Sequence, residues 1–438
     1  MYQIMWPGKP DWLLWQRLVF RFFFVYFVLY VSPWQWLGII PGVSYLTGLY
    51  DQFIDWLVNA ANTNLFHLYK NLVPLNGSGD TSWAFVQLRL FLLIAAVAMI
   101  VWSLLDRKRK QYNRLAYWFR IMLRYFIIIN CFGYGFAKLF LSQMPFPNNS
   151  LMATSLGDLL PMRLSWAFMG ASPTYEFFSG LMEVIAGILL LFRRTATFGT
   201  LLAAGVFANV MVMNFGYDIP VKLFSTHLLI ACLVLLLFEC KRILNFLVSN
   251  RYAEQGNLYY IRYPKKWMRI AAVTLKLLFI VFFVIVGGYQ SYESFVQRGN
   301  TPESKPIRSG LYDVTVFVKN GDTIPPLLYD TIRWRDVVFE KNGAGSVGTT
   351  DTLFWQRYRR GYFRSKVDTV KKEVEFSKSN PAFDMFNLFT LQYEIPDSNS
   401  IILKGKIRND SVYAVLQRSK RHFQLAEKQF HWLSEYNR

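Results

Sequence analysis

Nine polar or ionisable residues interrupt the apolar runs of this chain, and their types are those that move protons or hold polar ligands. In "GYGFAKLF", Tyr134 and Lys138 are four residues apart and so share one face of a helix. Glu183 stands alone in "FFSGLMEVIAGILLLF"; it lies about nine residues into its run, ~13 Å deep at ~1.5 Å per residue. Asn209 and Asn214 sit in the next run, and "NFGYDIPVKLFSTHLL" adds Asp218, Lys222 and His227. Asp80, in "NGSGDTSW", completes the set.

Charged or strongly polar groups inside hydrocarbon cost several kcal/mol and face a partner or a wet cavity. The other halves of these runs, "AGILLLF", "TLLAAG" and "CLVLLLF", carry nothing comparable. The polar residues therefore gather in one leaflet, and the expectation is a single pocket opening outward. Glu183, Lys138 and His227 are its candidate catalytic groups: Glu183 pairs with Lys138 or Lys222, and His227 can take a proton near neutral pH. Tyr134, Asn209, Asn214, Asp218, Lys222 and Asp80 are candidate substrate-binding groups. Structural roles compete with each assignment. Lys138 and Lys222 can snorkel, Asn209 and Asn214 can join helices, and a lone His227 can be a satisfied core residue. Glu176 is expected near the surface, and Arg120 and Arg124 read as topology anchors. His67, His422 and His431 lack ligand spacing, and no HExxH or Walker pattern occurs, so no metal site and no built-in cofactor are expected.

The elements that must position these groups are membrane helices. Of 438 residues 53% are hydrophobic and 18% aromatic, and seven runs approach the ~20 residues that cross a bilayer: Trp15–Ser32, Trp83–Leu105, Trp118–Ser142, Tyr175–Phe192, Ala196–Gly216, Leu223–Phe238 and Ile270–Gly288. The first lacks a small-residue cleavage site and reads as a retained span. The net charge of +20 clusters beside the runs, in "DRKRKQYNR", at Arg193–Arg194 and between Lys241 and Arg269. That pattern sets topology rather than reading phosphates, so nucleic acid is not an expected partner and membrane lipids are. With seven spans all three clusters face the cytoplasm, as does the N-terminus, and the C-terminal part lies outside. The three cysteines, Cys131, Cys232 and Cys240, form no CxxC, which argues against a self-contained dithiol redox enzyme.

Between the first two runs, "YLTGLYDQFIDWLVNAAN" has helical spacing and is expected along the membrane surface. Asp80 or Thr81 is placed to cap the second span. The loop "MPFPNNSLMATSLGDLLPMRLSWAFMGASP" is too apolar to be free and is expected to fold as short helices over the mouth of the bundle. From Gly310 onward the period changes to two, in "LYDVTVFVK", "TIRWRDVVFE", "TLFWQRYRR", "KKEVEFSK", "FNLFTLQYEI", "SIILKGKI" and "SVYAVLQRS". This predicts an antiparallel, lipocalin-like barrel of seven or eight strands, with Tyr312, Val314, Val316, Trp334 and Val338 facing inward. The predicted division is thus 1–116, a transmembrane pair with an amphipathic segment; 117–240, a four-helix core; 241–293, a basic loop and seventh span; and 294–438, a β domain.

The stretch from Arg124 to Phe238, with "GYGFAK", "FMG", Glu183, the Arg193–Arg194 pair, "FANV" and "NFGYDIPVKLFSTH", resembles the DoxX family of bacterial membrane proteins, in its long form with extra N-terminal spans and a C-terminal β domain. The resemblance implies the bacterial inner membrane, with the β domain in the periplasm. The family is named for a thiosulfate:quinone oxidoreductase subunit, which implies a quinone or another lipid-soluble ligand in a redox or proton-coupled role, with a redox partner. Other members imply instead a non-enzymatic assembly, chaperone or export factor acting on an envelope protein. A more distant similarity links "YGFAKL" to the transmembrane part of vitamin K-dependent γ-carboxylases, where a lysine late in a helix acts as base.

Overall fold

The computed structural model describes residues 11–40, 42–252, 263, 265–300, 302, 306–326, 332–378, 386–427 and 431–433. Part of the basic segment between Lys241 and Arg269, namely 253–262 and 264, lies outside the described residues, as does Thr331 in the second predicted strand. The chain divides into two compact units: Met1–Leu139 with Phe178–Ser291, and Phe140–Phe177 with Tyr292–Arg438.

The first unit is helical. Its helices include α1 (Leu14–Val31), α2 (Val43–Ala61), α3 (Ser82–Leu105) and α4 (Asn113–Leu139). After the short helices α5 (Asn149–Met152) and α6 (Pro161–Gly170) of the other unit come α7 (Pro173–Leu191), α8 (Ala196–Gly216), α9 (Lys222–Leu237), α10 (Cys240–Leu247) and α11 (Lys266–Phe279). Among the described residues six helices are long and apolar enough to cross a membrane, and a seventh qualifies if α9 and α10, bent by 83°, count as one span. The chain is a multi-pass membrane protein. Thr81, not Asp80, caps α3 by accepting the Ala84 N–H. α1 packs on α3 and α4, and α4 and α8 pack on α9. Their shared core is aromatic and aliphatic, with Phe27, Phe119, Leu123, Ile127 and Phe132 nearly inaccessible.

Two glycines decide how closely α4 and α7 approach. A Cβ on Gly135 would come within 2.8 Å of the Val184 side chain, and one on Gly180 within 2.6 Å of the Leu139 nitrogen and 2.8 Å of the Lys138 Cβ. Small residues at such crossings let membrane helices touch backbone to backbone.

The second unit is built around a closed antiparallel barrel. Ten strands run β1 (Gly310–Lys319), β2 (Asp322–Thr323), β3 (Asp336–Phe339), β4 (Ala344–Val347), β5 (Trp355–Arg357), β6 (Arg360–Asp368), β7 (Glu373–Lys378), β8 (Asn387–Asp397), β9 (Ser400–Ile407) and β10 (Asp410–Arg418). Eight of them close in the order β1–β3–β4–β6–β7–β8–β9–β10, with β10 returning to β1; β2 and β5 are side pairings on β1 and β6. The interior is filled by Phe317, Trp334, Phe354, Phe363, Phe376 and Phe389, with the rings of Phe376 and Phe389 stacked at 4.9 Å.

Three sequence expectations fail here for physical reasons. Val316 is exposed, because a bulge between Val314 and Val316 shifts the register and turns Phe317 inward. Val338 is buried on the outer wall: its neighbours Val337 and Phe339 fill the interior, while Val338 packs with Leu311 and Ala153. A strand covered on both faces has no alternation to read. β4 and most of β6 escaped notice because "AGSV" and "RGYF" look like turns. The glycine in β4 is there for space, since a Cβ on Gly345 would lie 2.4 Å from the Phe363 ring.

What covers Val338 is the apolar loop expected over the mouth of the bundle; its segment 140–177 belongs to the barrel unit. Asn148 caps α5, and Glu340, just after β3, accepts hydrogen bonds from the Ser150 N–H at 2.9 Å and the Asn149 amide at 3.2 Å. Arg163 meets the Tyr358 hydroxyl at 3.3 Å, and Asp158 pairs with Arg359 at 3.3 Å. Glu176, expected at the surface, is buried at 1% exposure and accepts the Met144 N–H at 2.9 Å.

Candidate functional site

The glycine-mediated crossing of α4 and α7 brings Lys138 and Glu183 together. Lys138 Nζ donates to Glu183 Oε1 at 2.7 Å, with both side chains at 5% exposure or less. The ammonium also lies 5.7 Å from the centre of the Tyr134 ring, one turn earlier on α4. Glu183 Oε2 is buried without a hydrogen-bond partner. A buried ion pair is repaid best when its remaining lone pairs are also answered.

His227, on α9, lies in a second group. Its Nδ1 is 2.6 Å from the Leu223 carbonyl, which only accepts, so Nδ1 carries a proton. Nε2 of the neutral ring then accepts the Tyr26 hydroxyl, 2.5 Å away. The ring stacks on Tyr30 at 3.9 Å with 9° between planes. Both nitrogens are thus occupied, and His227 is coupled through a hydrogen bond to Tyr26. Tyr26 and Tyr30 were not singled out in the sequence, because two tyrosines in an aromatic run on α1 carry no local signal.

These rings line a cavity of about 290 Å³. Its walls include Tyr26, Tyr30, Phe91, Tyr134, Phe224 and His227, with Gln87 as a further polar group. Leu75, Gly79 and Val221, outside the helices, border it. Of the nine sequence candidates only Tyr134 and His227 line it. Tyr134 is the shared member, facing the cavity and standing beside the Lys138–Glu183 pair.

Four of the remaining candidates, Asp80, Asn214, Asp218 and Lys222, hold the turn between α8 and α9. Asp80 accepts the backbone N–H groups of Lys222 at 2.8 Å and Leu223 at 2.9 Å. It caps α9 from a distant loop and places a negative charge where the helix dipole favours one. Lys222 Nζ pairs with Asp218 at 2.6 Å and lies 3.8 Å from Asp80. Asn214 donates to the Ser225 hydroxyl at 3.0 Å. Asn209 is exposed on α8 and joins none of these groups. The polar residues of "NFGYDIPVKLFSTHLL" therefore serve mainly to end one helix and start the next, with His227 alone turned to the cavity.

No model of a known protein family and no solved structure matches the chain. It is 33% identical over 119 residues to the uncharacterized protein YwoB of Bacillus subtilis (strain 168), a match that covers 27% of this chain and 75% of YwoB. With three quarters of YwoB covered at that identity, the chain belongs to the YwoB family.

Proposed function

We propose that the cavity between α1, α3, α4 and α9 binds the ring of a quinone or a similar lipid-soluble compound, in a proton-coupled role. The observation that carries this is the lining itself: stacked aromatic walls with Tyr26, His227, Gln87 and Tyr134 supplying a few convergent polar groups. Ligand sites are mostly apolar with few polar contacts and run from about 300 Å³ upward, so about 290 Å³ suits one ring head group with its tail left in lipid. Tyr26 and His227 form one proton pair, and Tyr134 links the cavity to Lys138 and Glu183. The chain supplies binding and proton groups, and a redox partner supplies electrons. In this reading the N-terminus is cytoplasmic, the cavity faces the outer leaflet of a bacterial inner membrane, and the kinship with DoxX proteins rests on Tyr134, Lys138, Glu183 and His227.

The test is mass spectrometry of small molecules retained after gentle detergent extraction, together with thermal shifts on adding a short-chain quinone. The wild type is expected to retain a ring compound and to be stabilised by the analogue. Ala84→Phe, which fills the lining at a buried position, abolishes both. No retained ring compound and no shift would sink the proposal, and a stable co-purified polypeptide in its place would favour the assembly-factor role.

A further inference from the structure

A second cavity, of about 80 Å³, lies where the start of α4, the α7–α8 turn and the end of α9 meet. Arg120, Arg124 and Arg193 line it, with Tyr117, Thr197 and one carboxylate, Glu239. Arg120 pairs with Glu239 at 3.5 Å, but Glu239 is shared with Arg242 at 3.6 Å. The Nε of Arg124 is buried without a hydrogen-bond partner. Guanidinium groups thus outnumber carboxylates among the lining residues. Arg120 and Arg124 are seven and eleven residues into α4, or ~10 and ~16 Å along a helix whose middle is apolar. Cations at that depth call for an anion.

We propose that this cavity holds the phosphate of an anionic phospholipid head group. The chemistry is that of a phosphate diester: guanidinium forks match its oxygens, Thr197 offers a hydroxyl, and the first N–H groups of α8, at Ala196 and Thr197, point to the same end. The volume suits a phosphate, with the rest of the lipid lying outside the cavity. Apolar side chains flank the arginines, with Phe192, Phe198 and Trp118 all more than 40% exposed, and they supply a surface for acyl chains. Basic pockets between membrane helices recognise lipid head groups in this way. The arginines that read as topology anchors thereby gain a ligand. This inference is independent of the ring-binding cavity, with which it shares no lining residue.

The experiment uses the full chain in mild detergent, supplemented with phosphatidylglycerol, phosphatidylcholine or inorganic phosphate, and reads retained lipid by native mass spectrometry and the shift in Tm. Phosphatidylglycerol is expected to be retained and to raise Tm, phosphatidylcholine to do neither, and retention to fall about fivefold per arginine removed in Arg120→Gln and Arg124→Gln. Arg114→Gln, on the same helix but outside the lining, leaves retention unchanged. Arg193→Gln, in the exposed turn, reads the same effect if the α4 variants fail to fold. Equal retention by wild type and variants, or of both lipids, overturns the proposal. Protection by inorganic phosphate with none added by phosphatidylglycerol assigns the anion to solution and overturns the lipid.

Discussion

Among the described residues each unit has a buried ion pair, and the carboxylates of the two pairs are finished differently. In the barrel, Arg360 is fully buried and bonds Asp336, while its Nε donates to the Ser346 hydroxyl at 3.0 Å and its Nη1 is left over. The second oxygen of Asp336 takes Arg335 at 3.0 Å. In the bundle, Glu183 has Lys138 alone, and one of its oxygens is left over. The difference lies in the carboxylates, both oxygens of Asp336 being engaged and one of Glu183, and a buried charge is repaid better the more of its lone pairs are satisfied. The barrel pair is a network that locks β3, β4 and β6. In the bundle the carboxylate is the less satisfied partner, and the pair stands beside a cavity-lining tyrosine.

The largest effect separating the two should come from Asp336→Ala, which leaves Arg360 buried and unpaired. A cost of about 3–5 kcal/mol is expected, read as loss of hydrogen-exchange protection in β3, β4 and β6. A loss of protection no greater than that of a surface variant would show that the network contributes nothing. Next, Lys138→Met alone should cost about 3 kcal/mol, whereas Lys138→Met with Glu183→Leu should return to within about 1 kcal/mol of wild type. That double variant is folded but loses the response to quinone. If it is as unstable as the single variant, the bundle pair is also part of a network and the contrast disappears.

Glycine spacing offers a finer test in both units. Gly180→Ala forces a methyl against Leu139 and Lys138, and Gly345→Ala forces one against Phe363; overpacking of this kind costs about 1–3 kcal/mol. Only Gly180→Ala should also weaken ring binding, because it moves Lys138 away from Glu183; an equal loss in Gly345→Ala would separate binding from the α4–α7 crossing. The smallest effect is in pH. Lys319 and then Asn320 hold the Asp410 carboxyl below its usual 3.8, Lys404 holds Glu394 below 4.5, and the Asn399 N–H and Ser400 hold Asp397 low. Groups depressed in the folded state stabilise it above the unfolded value and lose that contribution as pH falls through the folded one. Barrel stability should therefore be flat near neutrality and decline only below about pH 4. A decline between pH 5 and 7 would point to other groups.

The pattern of apolar runs and the switch to period two settle the class of this protein in advance, because bilayer thickness and strand pleating impose lengths and periods visible in any chain. The alternation also placed Tyr312, Val314 and Trp334 in the barrel interior. Where it failed, at Val316 and Val338, the cause was a bulge and a second covering layer, neither of which leaves a mark in local pattern. In the site, the types of Lys138, Glu183 and His227 marked them as costly residues that must be answered, since the energetic penalty belongs to the side chain itself. Which partner answers each is a matter of distance between helices remote in sequence. Gly135 and Gly180 gave Lys138 to Glu183, a tyrosine from α1 went to His227, and Asp80 went to the start of α9. The expectation of one polar pocket thus resolved into an ion pair, an aromatic cavity and a capped turn. Side-chain chemistry is local, but the satisfaction of a buried polar group is a property of what packs against it, and only the tertiary structure decides that.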